Sequence, residues 1–425
     1  MTRVLIVAEH ASARFGGEAA LPLHYFRVMT RRGIDVRLIT HARVRDELTQ
    51  AFPDAVHRIF YIEDTATHRA MWRLGKALPA RIAYITTGFV SRLTTQVSQR
   101  RLARRLVREH AIDIVHQPMP VSPREPSMLH TLGAPVVIGP LNGNMDYPAA
   151  FRTTSERGIG MVEKLGRAFS GVLNSLMPGK QRAAAILVAN ERTREALPGG
   201  LRGEVIVLPE NGVDLGVWRD APPRPRDADP QAAPARFIYM GRLIELKGVD
   251  LLLVAFKAAS ATSPMSLALL GDGPERASLV AAATSMGILA THENEVGKVF
   301  FAGWRTQQDC AATLGRSDCL VLPSLRECGG AVILEAMACG LPVIATAWGG
   351  PLDYLDGSTG MLVPPDSRES FVQQLGACMS TLGASAELRR RLGAAARERI
   401  EKEFDWERKV DAILQLYGRL AASAA

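Results

Sequence analysis

Short, largely apolar runs separated by stretches long enough for a helix are the feature of this chain that most restricts its fold. In the first half they are Val4 to Ala8, Val36 to Ile39, Ile112 to His116, Val136 to Ile138, Ile186 to Ala189 and Val205 to Leu208. A strand with one face in water alternates apolar and polar residues. A run that is apolar throughout is covered on both faces, as in a parallel sheet with helices on either side. The pattern restarts with Phe237 to Met240, Leu267 to Leu270, Val299 to Phe301, Cys319 to Pro323 and Val343 to Ala345. The expectation is an α/β protein with two doubly wound, Rossmann-like domains facing a central cleft.

Between the two series the texture changes. Ala221-Pro222-Pro223-Arg224-Pro225 and the span from Pro230 to Pro234 can hold neither a helix nor a central strand. The expected division is therefore 1–208 as an N-terminal domain, 209–235 as a proline-rich linker and 236–403 as a C-terminal domain. Residues 404–425 are expected to form a C-terminal helix crossing back to the first domain. A chain of 425 residues has room for this, since a domain takes roughly 150 residues.

The formal charge of +8 suits a negatively charged partner, because net charge governs association rather than fold. Nucleic acid is set aside: aromatic residues make up only 6%, and the Arg clusters lack finger spacing or an aromatic sheet motif. Cys310, Cys319, Cys328, Cys339 and Cys378 show neither CxxC spacing nor His partners, so they read as reduced packing residues rather than disulfides or a metal site. The first apolar run, Val4 to Ala8, is too short for a signal peptide, and no segment has the roughly 18 to 20 apolar residues of a membrane span. The expected location is cytoplasmic, or peripheral on the inner face of the cytoplasmic membrane.

In open parallel sheets ligands bind beyond the carboxyl ends of the strands, so the residues that follow each run carry the information. After Phe237 to Met240 comes Gly241-Arg242-Leu243-Ile244-Glu245-Leu246-Lys247-Gly248, two cations with glycines on either side. Arg bonds phosphate oxygens bidentately and Lys adds a mobile point charge, which suits a diphosphate. After Cys319 to Pro323 comes Ser324-Leu325-Arg326-Glu327-Cys328-Gly329-Gly330, then a helix from about Ala331 to Cys339 that is stopped by Gly340 and Pro342. Gly329 and Gly330 leave the amides at the helix start open to a phosphate or a sugar. Glu335 is the one charged residue on a helix apolar all round, so it is expected to be buried and to need donors such as ribose hydroxyls. The plainer alternative makes Glu327 a helix-dipole charge and Glu335 half of an internal salt bridge.

Glu327 and Glu335, with Pro323-Ser324 before them, Glu335-Ala336-Met337-Ala338 within the helix and Gly340-Leu341-Pro342-Val343-Ile344-Ala345 after it, resemble the hallmark of family 4 retaining glycosyltransferases of the GT-B fold, glycosyl transferases group 1. Gly241-Arg242-Leu243 with Lys247-Gly248, Gly271-Asp272-Gly273-Pro274, Phe301-Ala302-Gly303, Asn211-Gly212-Val213-Asp214 and Gly349-Gly350 before Asp353 add to the likeness. One departure is that Cys328 and Gly329 stand where the family usually has a glycine and an aromatic residue. The resemblance implies a UDP- or GDP-linked sugar as donor, a saccharide or lipid-linked acceptor and no cofactor. It implies Arg242 and Lys247 on the diphosphate, Glu335 on the ribose, Glu327 on the transferred sugar, Gly329 and Gly330 at the phosphate, and Asp272 and Trp304 near the base. Trp304 is otherwise a packing residue.

In the first half, Gly16-Gly17 lead into a helix, and the family often carries a paired glycine there, which assigns Gly17 to the donor phosphate. His116 ends a strand where the family often has a histidine close to the sugar; the alternative is a structural histidine. The loop Gly139-Pro140-Leu141-Asn142-Gly143-Asn144-Met145-Asp146-Tyr147 is dense in groups that bond sugar hydroxyls, so Asn142, Asn144 and Tyr147 are the candidate acceptor contacts. No Asp-x-Asp-type pair stands where a phosphate-bridging metal would need it, which predicts metal independence. Arg92, Arg100, Arg101, Arg104, Arg105 and Arg108, interspersed with Leu93, Val97, Leu102 and Leu106, read as a basic amphipathic helix, either a solvated face or a peripheral contact with anionic lipid. Two other functions share the expected fold: a catalytically silent nucleotide-binding scaffold, and a GT-B epimerase or phosphorylase.

Overall fold

The computed structural model describes residues 2–15, 17–152, 170–218 and 233–424. Gly16 and most of the proline-rich interval 209–235 lie outside them.

The first parallel sheet has seven strands in the order β3-β2-β1-β4-β5-β6-β7. They are β1 (Val4–Val7), β2 (Val36–His41), β3 (Ile59–Ile62), β4 (Ile114–Gln117), β5 (Val136–Leu141), β6 (Ala185–Val188) and β7 (Glu204–Val207). The second has six, β10-β9-β8-β11-β12-β13: β8 (Ala235–Met240), β9 (Met265–Leu270), β10 (Val299–Gly303), β11 (Cys319–Leu322), β12 (Val343–Thr346) and β13 (Gly360–Val363). Both run 3-2-1-4-5-6 from their first strand, the doubly wound order. β3 and β13, absent from the apolar runs read in the sequence, are edge strands with half-buried centres.

Why the runs are continuous is visible in β1. Val4 and Ile6 enter one hydrophobic cluster, with Phe26, Leu38 and Ile413; Leu5 and Val7 enter another, with Leu106, Val115 and Ile138. Successive side chains point to opposite faces, so a strand covered on both sides must be apolar at every position.

The chain divides into two compact units. One draws its described residues from Met1–Asn144, Ile159–Glu210 and Trp406–Ala425, the other from Met145–Gly158 and Asn211–Asp405. The segment beginning at Met145 thus belongs to the second unit, although the sequence places it well inside 1–208. The final helix, Trp406–Ala424, lays Trp406, Val410, Ile413 and Tyr417 against the first unit's core. The spacing is that of one helical face. Arg32 fixes its start, donating to the Glu407 backbone oxygen at 2.8 Å. Among the described residues no helix is long and apolar enough to cross a membrane.

Candidate functional site

Reversal of strand order leaves a crevice at the carboxyl ends of the two central strands, between β1 and β4 in one sheet and between β8 and β11 in the other. In the second unit the loops leaving β8 and β11 are stitched together there. Leu325 N donates to Leu246 O at 2.9 Å, and Tyr239 OH donates to Arg242 O, also at 2.9 Å. Gly248 lies in the left-handed region at φ 62°, and a Cβ on it would stand 2.5 Å from Pro323 O. No other residue lets these loops approach so closely.

That stitching brings Lys247 and Glu327 into contact, the ammonium donating to the carboxylate Oε2. The same oxygen accepts from Ser324 Oγ at 3.2 Å, and both charged side chains are half-buried. The Glu327 backbone is held from a third side. Gly350 N donates to Glu327 O at 2.7 Å, and Gly349, at φ 72°, comes so near that a Cβ would lie 2.5 Å from that oxygen and 2.1 Å from Met145 Sδ. Gly330, at φ 70°, then turns the chain into the helix Ala331–Ala338, and a Cβ there would meet Glu327 Cγ at 3.1 Å.

Glu335 sits in the second turn of this helix, half-buried, with no hydrogen-bond or ion-pair partner among the described residues. Burial pushes its carboxyl up to about 7. An internal salt bridge, the plainer alternative, is absent among the described residues. Arg242 is exposed at the end of β8, and among the described residues its guanidinium has no partner. The group is thus one paired cation and carboxylate, one unpaired cation and one carboxyl lacking donors, around a glycine-lined helix start.

Other expectations meet different outcomes. Asp272 is exposed and its Oδ1 accepts from the neighbouring Gly273 N at 2.7 Å, closing its own turn. Trp304 is exposed rather than packed. Cys328, in the turn between Glu327 and Gly329, is exposed too, so it is no packing residue, whereas Cys319 is fully buried.

In the first unit His116 is not open to a ligand. It has no exposed surface; Nε2 lies 2.6 Å from Gly139 O and Nδ1 2.7 Å from Tyr417 OH. Burial lowers its pKa to about 4, so it is a neutral ring bridging β4, β5 and the last helix. This is the structural alternative weighed for it above. Asn142 is also buried, its amide donating to Glu210. Asn144 is exposed at φ 60° and links Arg124 Nη2, at 2.9 Å, with Arg192 O, at 3.0 Å. Tyr147 belongs to the other unit, on the wall of a cavity of about 800 Å³ with Phe151, Ile244, Glu275 and Arg368. The three acceptor candidates therefore do not form one cluster within either unit. Gly17 opens the helix Gly17–Arg31 with free space at its Cα.

Ser324 and Tyr239 were not singled out from the sequence for what they do here; a hydroxyl next to a candidate site residue is their one local signal. At the first sheet's switch point, burial and the proximity of Glu125 raise the carboxyls of Glu9 and Glu18. Arg92 Nε pairs with Glu125 at 2.8 Å. Glu9 could have been found, since it directly follows the first apolar run.

Two units of this strand order, with phosphate-sized groups at the second switch point, define the class: the fold is GT-B. The Anabaena protein HepE, solved in complex with UDP, matches at a TM-score of 0.64 and 16% identity, over 99% of this chain and 100% of that one. Residues 234–381 match the family described as Glycosyl transferases group 1. The chain is 32% identical over 230 residues to the glycogen synthase of Mycobacterium tuberculosis, covering 54% of this chain and 51% of that protein. It is 36% identical over 178 residues to the lipopolysaccharide core biosynthesis glycosyltransferase LpsE of Rhizobium meliloti, 42% of this chain and 48% of the relative. The chain thus spans about half the length of these relatives. Its likeness to the glycosyl transferases group 1 is thus carried by residues 234–381, within the second unit.

Proposed function

We propose that this protein is a retaining glycosyltransferase that moves a sugar from a UDP- or GDP-linked donor to a saccharide or lipid-linked acceptor in glycan synthesis. The observation that carries the reading is Glu335, a half-buried carboxyl with a pKa near 7 and no donor of its own among the described residues, one helix away from the Lys247–Glu327 pair. An ionised carboxylate so placed gains from two hydroxyl donors, and a ribose diol supplies them. UDP in the structural relative HepE favours the uridine alternative.

Arg242 and Lys247 would take the diphosphate, with the amides beyond Gly329 and Gly330 as further donors. When the glycosidic bond breaks, negative charge builds on the departing diphosphate, and fixed cations and dipoles stabilise it without reorganising. Glu327, held by Lys247 and Ser324, would orient the transferred sugar. The acceptor hydroxyl would give its proton to the leaving diphosphate, so this chain's residues position rather than exchange protons. Two cations in the metal's customary place make metal ions dispensable, and EDTA should leave the rate unchanged. Cytoplasmic residence fits a nucleotide-sugar donor.

Thermal shift against UDP-, GDP- and ADP-sugars is the first test. One donor should raise the melting temperature at about 1 mM, and its slow hydrolysis should release sugar with the donor's anomeric configuration. No stabilisation by any of them would sink the reading and favour a silent scaffold; an inverted product would remove the retaining mechanism alone.

A further inference from the structure

The sequence points to residues 92–108 as the one basic amphipathic helix, yet its apolar side is already occupied. In the helix Thr87–Glu109, Ala103, Leu106 and Val107 are buried in the first unit's core with Leu102 packed against it, and the first half buries the polar Thr95, Gln96 and Gln99. From residue 92 to 108 the exposed side chains are Arg101, Arg104, Arg105 and Arg108, all cations. The exposed apolar surface lies just before it, on the helices Ala66–Gly75 and Ala80–Ile85. Trp72, Tyr84 and Ile85 are each 63% exposed and Leu74 58%, with Leu78 and Ile82 also open. These helices pack on the basic one: a Cβ on Gly75 would meet Thr87 Oγ1 at 2.9 Å, and the Arg92 guanidinium lies 4.5 Å from the Tyr84 ring centre.

Charge decides what this surface accepts. From Thr65 to Arg108 the chain has ten Lys and Arg and no Asp or Glu. Lys76 Nζ stands 3.6 Å over the Trp72 ring. Carboxylates bordering this segment already have cations: Glu125 with Arg92, Asp64 with Arg43, Glu63 with Arg45 and Glu109 with Arg105. Two copies of so cationic a face would repel each other, whereas apolar and aromatic tips among cations match the boundary between acyl chains and anionic headgroups. We propose that the helices 66–85 dock this protein on an anionic lipid surface, with Trp72, Leu74, Tyr84 and Ile85 entering the headgroup boundary and the following basic helix contributing attraction only. The inference does not depend on the activity proposed above.

The test is sedimentation of the full chain with vesicles. Binding to mixed phosphatidylglycerol and phosphatidylcholine vesicles should exceed that to pure phosphatidylcholine by about tenfold or more, and should weaken in about 1 M salt. Trp72→Ser with Ile85→Ser should lower binding to anionic vesicles by about tenfold at an unchanged melting temperature, since both side chains are exposed. Vesicles should shift the tryptophan emission to the blue, and Trp72→Phe should abolish most of that shift. Absence of binding to anionic vesicles would overturn the proposal. So would full binding by the Trp72→Ser, Ile85→Ser variant, or binding lost only in Arg104→Glu with Arg105→Glu. A dimer broken by the serine variant, with no vesicle binding, would assign the face to a second copy instead and equally overturn it.

Discussion

The same strand order occurs twice in this protein, and the candidate residues near its two switch points differ in how they are bonded. In the first unit His116 has both ring nitrogens engaged, by Gly139 and Tyr417, and Asn142 is bonded to Glu210. In the second, Arg242 has no side-chain partner and Glu335 no donor among the described residues, and Lys247 is shared with Glu327 alone. A buried polar group that is fully bonded stabilises its fold; one left short of partners costs stability and persists where a ligand completes it. Under the function proposed above, this difference sets the bonded network around His116 apart from the candidate donor residues.

The comparison breaks most readily at Lys247. Lys247→Ala removes the cation nearest Glu327 and should lower turnover by about 100- to 1,000-fold, with a small change in melting temperature. A variant within threefold of the wild-type rate in a steady-state assay would remove this unit's claim to the chemistry. Gly349→Ala forces a Cβ against Glu327 O and Met145 at a positive φ. It should cost about 2 to 4 kcal/mol in denaturant unfolding and much of the activity.

His116→Ala tests the other side. It should cost about 2 to 3 kcal/mol of stability while leaving the donor KM unchanged, because the ring is buried and its partners lose their bonds. A KM effect at intact stability would return His116 to the site. In the wild type this histidine stays neutral when folded down to about pH 4, against an ordinary 6.5, so stability should fall as pH drops through that window.

Glu335→Gln is the smallest and sharpest test. The folded carboxyl titrates near 7 against an ordinary 4.5, so the unfolded chain loses this proton first as pH rises. Its burial therefore costs nothing below about pH 4.5, increasingly more up to 7, and the full amount above. Glutamine should stabilise the ligand-free protein at pH 8 by on the order of 1 kcal/mol, discounted for partial exposure, yet weaken donor binding. Equal melting temperatures at pH 8 would mean that the carboxylate has a partner after all.

Much of this was legible along the chain. Continuous runs such as Leu267 to Leu270 announce a strand covered on both faces, and two glycines before an apolar helix announce an open helix start. Among the residues read by local pattern, Arg242, Lys247 and Glu327 stand in the loops that leave the central strands β8 and β11, and Glu335 lies in the helix that follows the second of these loops. Edge strand β13 escaped notice because it is four residues long, opens on a glycine and is only half-buried at its centre. His116 and Tyr147 could not be assigned locally. One meets Tyr417, 301 positions away, and the other belongs with the second unit despite lying in the first half of the chain.

What the sequence by itself determined is the architecture and the chemistry available at the strand ends, since both follow from periodicity and from residues adjacent in the chain. Tertiary structure alone decided which of those polar groups are left without partners. Hydrogen-bond capacity is used up by atoms that meet in space, and the His116 ring fills its capacity with Gly139, 23 positions on, and Tyr417, 301 positions on.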